Sequence, residues 1–284
     1  MRDAPSVTAA WVAVWRTLGR RLPPAARLAD DPYGASFARL PTRTLARWAP
    51  TAMTVPMWPA VLYMQVRTRA IDDVLRAFVA GGGRQVAILG AGYDCRASRF
   101  AAELGQTRVF EIDHPATQAR KRRVLPPHPG PGPDVTYLAW DFEQRPVSEL
   151  PGALGALGHD PTLPTLTVWE GVTMYLTEGA IDASVRAVAT LSAPGSPFVI
   201  SYLDKQYVDH PSVARVVVGR AVATIGEPFR FGWDPSALPA WFAERGFDTT
   251  WDASMNELGR RLLPARYSRL LQIGGHRIAL VTRR

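Results

Sequence analysis

The run Gln85-Val86-Ala87-Ile88-Leu89 leading straight into Gly90-Ala91-Gly92 constrains this chain more than any other stretch. A short, continuous apolar run of this kind reads as a strand buried on both faces of a sheet. Glycines at its end allow a sharp turn into the helix predicted over Arg96 to Leu104. The same rhythm recurs. A helix from Val61 to Ala80 stops at Gly81-Gly82-Gly83. A second strand, Arg108 to Asp113, precedes a helix from Thr117 to Val124 and a Pro/Gly-rich loop from Pro126 to Pro133. Strands follow at Val135 to Ala139, Thr165 to Trp169 and Phe198 to Tyr202, the last two separated by a helix from Glu178 to Leu191 that Pro194-Gly195 terminates. Strands alternating with helices predict a mostly parallel sheet covered on both faces. Beyond Tyr202 the alternation pauses for an insertion, Leu203 to Trp233, with a helix-like Val213 to Val222. A helix (Pro235 to Arg245), a strand (Thr249 to Trp251) and a final strand (Gly274 to Val281) complete the chain. Residues 23 to 60, rich in Pro and aromatics, predict short helices and turns.

Composition removes several classes. With 284 residues, 47% hydrophobic and 20% charged, the chain is neither disordered nor a small stapled scaffold. Its apolar runs are too short to cross a bilayer, and the N-terminal patch Ala9 to Trp15 lacks a signal-peptide cleavage site. The single cysteine, Cys95, has no partner for a disulfide and no zinc-type spacing, so a reducing, cytoplasmic setting without a bound metal is expected. A net charge of +8 invites a nucleic-acid partner. Yet all but two of the 33 basic residues are arginines, the exceptions being Lys121 and Lys205, which fits GC-rich codon usage; the densest cluster is only Arg120-Lys121-Arg122-Arg123. Trp11, Trp15, Leu18 and Leu22 form one helical stripe with arginines on the other faces, predicting an N-terminal helix packed on the domain.

The glycine turn supplies unpaired N–H groups at a helix N-terminus. Measured against the dinucleotide pattern G-x-G-x-x-G, Gly90 and Gly92 fit but the third position is Cys95, which leaves the NAD motif incomplete. Glu111 and Asp113, about 20 residues on, end the second strand where a carboxylate meets ribose hydroxyls. Any adenosine-bearing cofactor satisfies that arrangement.

Gly90-Ala91-Gly92-Tyr93-Asp94-Cys95-Arg96 followed by Phe110-Glu111-Ile112-Asp113-His114-Pro115 resembles the leucine carboxyl methyltransferase family, and within it bacterial S-adenosylmethionine-dependent O-methyltransferases of the tetracenomycin polyketide type. Further matches are Thr8-Ala9, Asp31-Pro32, Val66-Arg67-Thr68-Arg69 with Asp72-Asp73, and Trp169-Glu170-Gly171-Val172-Thr173-Met174-Tyr175-Leu176. The resemblance implies a Rossmann-like class I methyltransferase sheet, mostly parallel with the last strand antiparallel. It implies S-adenosylmethionine as cofactor and a role in secondary metabolism. Arg67 would reach the carboxylate of the methionine moiety. Gly90, Ala91, Gly92 and Asp94 would line the cofactor. Asp113 would hold the ribose with Glu111 supporting or turned away. Asp141 and Phe142 would meet the adenine, although Asp141 suits the capping of a turn equally well. Glu170 and Tyr175 would flank the methionine end.

The implied organisation is one domain over 1–284: a helical lid (1–70), a cofactor core (71–202), a substrate cap (203–233) and the rest of the core (234–284). Tyr202, Tyr207, His210, Phe229, Phe231 and Trp233 are candidates to face a flat apolar small-molecule substrate, though aromatics on an insertion often only pack it down. A carboxylate acceptor needs no base; a phenol, with pKa about 10, would profit from one, for which His210 and His276 are the histidines to consider. His114 goes with the ribose-side loop. Arg67 and Asp113 are expected to lie exposed in the cleft. Alternative readings are an NAD-linked oxidoreductase, a cofactor-binding regulatory protein that transfers nothing, and an RNA methyltransferase. The oligomeric state is not legible.

Overall fold

The structure is a computed structural model that describes residues 5–38, 54–125, 132–210, 229–271 and 274–284. Its centre is a seven-stranded sheet: β1 Gln85–Leu89, β2 Arg108–Asp113, β3 Asp134–Ala139, β4 Thr165–Trp169, β5 Pro197–Leu203, β6 Phe247–Ser254 and β7 His276–Arg283, in spatial order β3-β2-β1-β4-β5-β7-β6. The first five strands pair in parallel, and β7 runs antiparallel between β5 and β6. The order reverses between β1 and β4, both buried along their full length. In a sheet wound this way the ligand crevice lies beyond the carboxyl ends of the strands at the reversal.

Strand alternation sorts the core into two layers. Val86, Ile88, Val109, Leu166, Val168 and Val199 face α1 (Val7–Leu18), α2 (Trp58–Ala80) and the short helices α3 (Arg96–Arg99) and α4 (Ala101–Leu104). Next in the chain come α5 (Pro115–Val124), α6 (Leu150–Ala156), α7 (Glu178–Leu191), α8 (Lys205–Asp209), α9 (Leu238–Ala243), α10 (Met255–Leu262) and α11 (Ala265–Ser268). Ala87, Leu89, Phe110, Ile112, Phe198, Ile200 and Tyr202 face the opposite layer with Leu154, Val185 and Phe242 of α6, α7 and α9.

Several expectations need correction. The helix predicted over 96–104 is broken at Phe100, whose φ of −112° and ψ of 26° leave the helical region and separate α3 from α4. The strand expected over 249–251 runs the length of β6. Helices α10 and α11 were not anticipated, although Ser254 and Glu257 form a reciprocal capping box. The N-terminal stripe holds at Leu18 and Leu22, which are buried, and at Trp15, which packs against the core, but not at Trp11. Trp11 is 48% exposed, and the buried face of α1 is Ala13, Val14, Thr17 and Leu18 together with Arg16, one of the arginines assigned to the outer faces. Gly34 adds Ala13 and Thr17 to the buried face: a Cβ there would lie 2.2 Å from the Ala13 carbonyl oxygen and 2.5 Å from Thr17 Oγ1. The boundary set at residue 70 falls inside α2. The helix expected over 213–222, most of the 203–233 insertion, Trp48 and most of the 126–133 loop lie outside the described residues.

Candidate active site

At the carboxyl end of β1 the chain turns through Gly90 (φ +63°) and Gly92 (φ +49°), a left-handed conformation that favours glycine. Close approach is required as well. A Cβ on Gly90 would come within 2.6 Å of Val172 Cγ2, and one on Gly92 within 3.2 Å of Ala9. Asp113, ending β2, accepts from the Gly92 N–H at 2.5 Å and the His114 N–H at 2.6 Å, which ties the two crossover loops together. Burial raises the Asp113 carboxyl, while these two N–H groups pull it down.

A cleft of about 260 Å³ opens here, lined by Thr8 and Ala9 of α1, Arg67 of α2, the 88–94 turn, Asp113, Glu170 and Tyr175. Its floor is a buried charge cluster. Glu170 accepts from Arg67 Nε at 2.7 Å and pairs with Arg96 Nη1 at 2.8 Å. Arg96 also pairs with Asp94 and, at 2.9 Å, with Asp72, which holds Arg99 at 2.5 Å. Beside them Arg16 donates to Asp31 at 2.9 Å and to the Tyr93 carbonyl. Four guanidiniums meet four carboxylates with little solvent contact. Burial alone would push Glu170 up, but Arg96, Arg67 and Arg16 outweigh it and hold its carboxyl far below the usual range. Such clusters contribute fixed orientation more than net stability. Arg67 accordingly sits 5% exposed and braced, a correction to its expected open position. Its Nη1 donates to Tyr63 Oη at 3.1 Å, and Tyr63 Oη lies 2.9 Å from His276 Nδ1. Because β7 is antiparallel, His276 sits opposite Leu203 at the same sheet edge as Glu170.

Other predicted residues divide. Glu111 shares the Val109 face of β2, outside the cleft, and pairs with the buried Lys121 of α5 at 2.5 Å. Asp94 lines the cleft, but its carboxylate is taken by Arg96 and by the Arg96 N–H at 2.7 Å. Asp141 caps the following turn, accepting from the Glu143 N–H at 2.9 Å, and its Oδ2 lies 3.6 Å from His114 Nε2; Phe142 beside it is exposed. His114 caps α5 by accepting from the Ala116 N–H. Of the aromatic candidates, Phe229 reaches the site, stacking on Tyr175 at 5.8 Å. Tyr202 and Trp233 are instead buried in the core: Tyr202 Oη donates to Asp252 at 2.9 Å, and Trp233 packs among Phe231, Trp241 and Phe242. Phe231 follows Trp233 into that packing. Tyr207 covers Gly274 and Gly275, and His210 is exposed at the end of α8. Sequence reasoning missed Arg16, Tyr63, Arg96 and Thr8 Oγ1. The order of the matching blocks hinted at Thr8 and Arg96 but not at the contacts they make.

Comparison with known proteins agrees with this geometry. The family model for leucine carboxyl methyltransferase matches residues 9–189. A protein of Mycolicibacterium smegmatis, whose name assigns it to the S-adenosyl-L-methionine-dependent methyltransferases, is 33% identical over 94% of this chain and 91% of its own length. A Streptomyces coelicolor protein assigned by name to the same class is 38% identical over 67% of this chain and 63% of its own. The chain thus spans less than two thirds of the length of several relatives it matches, 63% and 64% for two Streptomyces coelicolor proteins and 45% for a Streptomyces avermitilis protein. Among solved structures, a Thermobifida fusca protein described as a methyltransferase superposes with a TM-score of 0.58 at 17% identity, covering 100% of this chain and 96% of that one. A DUF574 family protein from Streptomyces avermitilis gives 0.59 at 14% identity, covering 95% and 97%. The fold is that of a class I methyltransferase, and the chain belongs to the leucine carboxyl methyltransferase family.

Proposed function

We propose that this chain is an S-adenosylmethionine-dependent O-methyltransferase that methylates a carboxylate or phenol oxygen of a small, polyketide-like molecule. The observation that carries the cofactor half is the lining of the cleft at the reversal of the sheet, where the Gly90–Gly92 turn, Asp113, Arg67 and Glu170 meet in one cavity. The rest of the lining suits the same cofactor. Among the described residues Arg67 Nη2 has no hydrogen-bond partner, which leaves it for a carboxylate while Nε and Nη1 fix its plane. Asp113 retains lone pairs for ribose hydroxyls. Asp141 and Phe142 stand one strand further along for the adenine, and Glu170, kept ionised by its arginines, suits an ammonium.

When bound, the cofactor supplies a sulfonium-activated methyl group. The chain's own work is to hold the acceptor oxygen in line and to exclude water. Phe229 against Tyr175 provides an apolar wall at the mouth of the cleft, and α1 covers it through Thr8, Ala9 and Val12. The test is transfer of labelled methyl from S-adenosylmethionine to a panel of aromatic acids and phenols. A product labile in mild base is an ester and identifies a carboxylate acceptor; a stable one is an ether. Cofactor binding without transfer to either class would favour a regulatory protein.

A further inference from the structure

A cavity larger than the cofactor cleft lies at the opposite edge of the sheet. It is a trough of about 850 Å³ beside the residues that precede β1, β4 and β5, whereas the cofactor cleft is built from residues that follow strands. One wall is a stripe of α2: Ala70, Val74, Ala77 and Phe78. The other is Leu258 and Leu262 of α10, and Trp251 and Leu280 form the floor, both only partly buried. Nothing in the reaction uses this space.

Two features indicate what fits it. The apolar surface is inside the concavity, and among the described residues the only large exposed hydrophobic one along it is Leu163. The rim is charged. Arg84 and Arg261 flank the trough and make no hydrogen bond or ion pair with a side chain among the described residues, whereas the rim carboxylate, Asp73, is held by Arg69 at 2.7 Å. The apolar surface is recessed below a charged rim, a shape that a flat face of a second copy would not fill. An apolar body ending in one anion buries its hydrophobic part and leaves its charge at the arginines. The volume is that of a small-molecule site. We infer that this trough binds an amphiphilic carboxylate, an acyl chain or a fused aromatic acid, at a site separate from the cofactor cleft.

The test is calorimetric titration of the full chain with dodecanoate and, separately, with 1-naphthoate; whichever binds identifies the source class. Ala77→Trp fills the trough from its exposed side, and the double variant Arg84→Gln/Arg261→Gln removes the charge. Affinity is expected to be lost in the first variant and to fall about tenfold in the second, with S-adenosylhomocysteine binding unchanged in both. That control also separates failure here from failure of the cofactor assignment. The inference is overturned if neither probe binds, if Ala77→Trp binds them as before, or if sedimentation shows a dimer that Ala77→Trp dissociates.

Discussion

Replacing Lys121 by Met tests the reading of Glu111 as a structural rather than a cofactor-binding residue. Both side chains of the pair are at most 2% exposed, and Met preserves most of the volume of Lys while removing its charge. Left without its cation, Glu111 has two options. It can stay ionised in a buried site, at about 3–5 kcal/mol by analogy with broken buried pairs. Otherwise it can take up a proton, which at pH 7 costs an ordinary carboxyl of pKa about 4.3 roughly 3.5 kcal/mol. The second option caps the loss. The pH dependence follows from proton counting: burial already raises the Glu111 pKa, with Lys121 opposing it, and removing Lys121 raises it further. Between the unfolded and folded pKa values the folded state holds the extra proton, so stability is greatest at low pH and falls by about 1.4 kcal/mol per unit as pH rises. Urea denaturation of wild type and Lys121→Met from pH 5 to 8 should show a penalty of about 3.5 kcal/mol at pH 7 that shrinks to about 1 near pH 5. Glu111→Gln/Lys121→Met should recover to within about 1 kcal/mol of wild type, with S-adenosylhomocysteine affinity unchanged. A small, pH-independent loss, or a large loss of affinity in the folded double variant, would refute the reasoning.

Four further outcomes are expected. Asp113→Asn should weaken S-adenosylhomocysteine at least tenfold in calorimetry and also lower stability by about 1–3 kcal/mol, since the amide NH2 replaces one of the two oxygens that accept from the Gly92 and His114 N–H groups. Arg67→Met should weaken the same ligand and also lower stability, because Glu170 keeps Arg96 but loses a 2.7 Å partner; an unchanged melting temperature would contradict the buried cluster. Thr8→Val should leave the ligand-free protein within about 0.5 kcal/mol of wild type, its hydroxyl having no partner among the described residues, yet reduce ligand affinity several-fold. Glu170 and Asp94 are both held below their ordinary values, so the stability they contribute is complete above the unfolded carboxylate pKa and is withdrawn as pH falls through the folded values; acid titration followed by near-UV circular dichroism should show tertiary structure persisting to about pH 4 and failing below.

The alternation of buried strands with helices was legible because β1 and β4 lie deep enough to need apolar runs, and β4 and α7 begin and end where the residues indicate. What stayed hidden depends on partners distant in sequence. Arg16 is buried because Asp31 and the Tyr93 carbonyl meet it, and Gly34 lets Ala13 and Thr17 of α1 approach closely while Trp11 stays exposed. Tyr202 could have been placed in the core, since it shares its face of β5 with Phe198 and Ile200. The capping box at Ser254 was equally visible as a start for α10. Charge pairing among Arg67, Arg96, Asp72, Asp94 and Glu170 was not, because residues up to 103 positions apart converge on it.

The central claim is that the cleft beyond β1 and β4 binds the methyl-donor cofactor. Calorimetric titration of the folded, ligand-free protein with S-adenosylhomocysteine, with NAD as the parallel control, tests it most directly. Micromolar binding of S-adenosylhomocysteine and none of NAD is the predicted result; binding of NAD alone, or of neither, would contradict it.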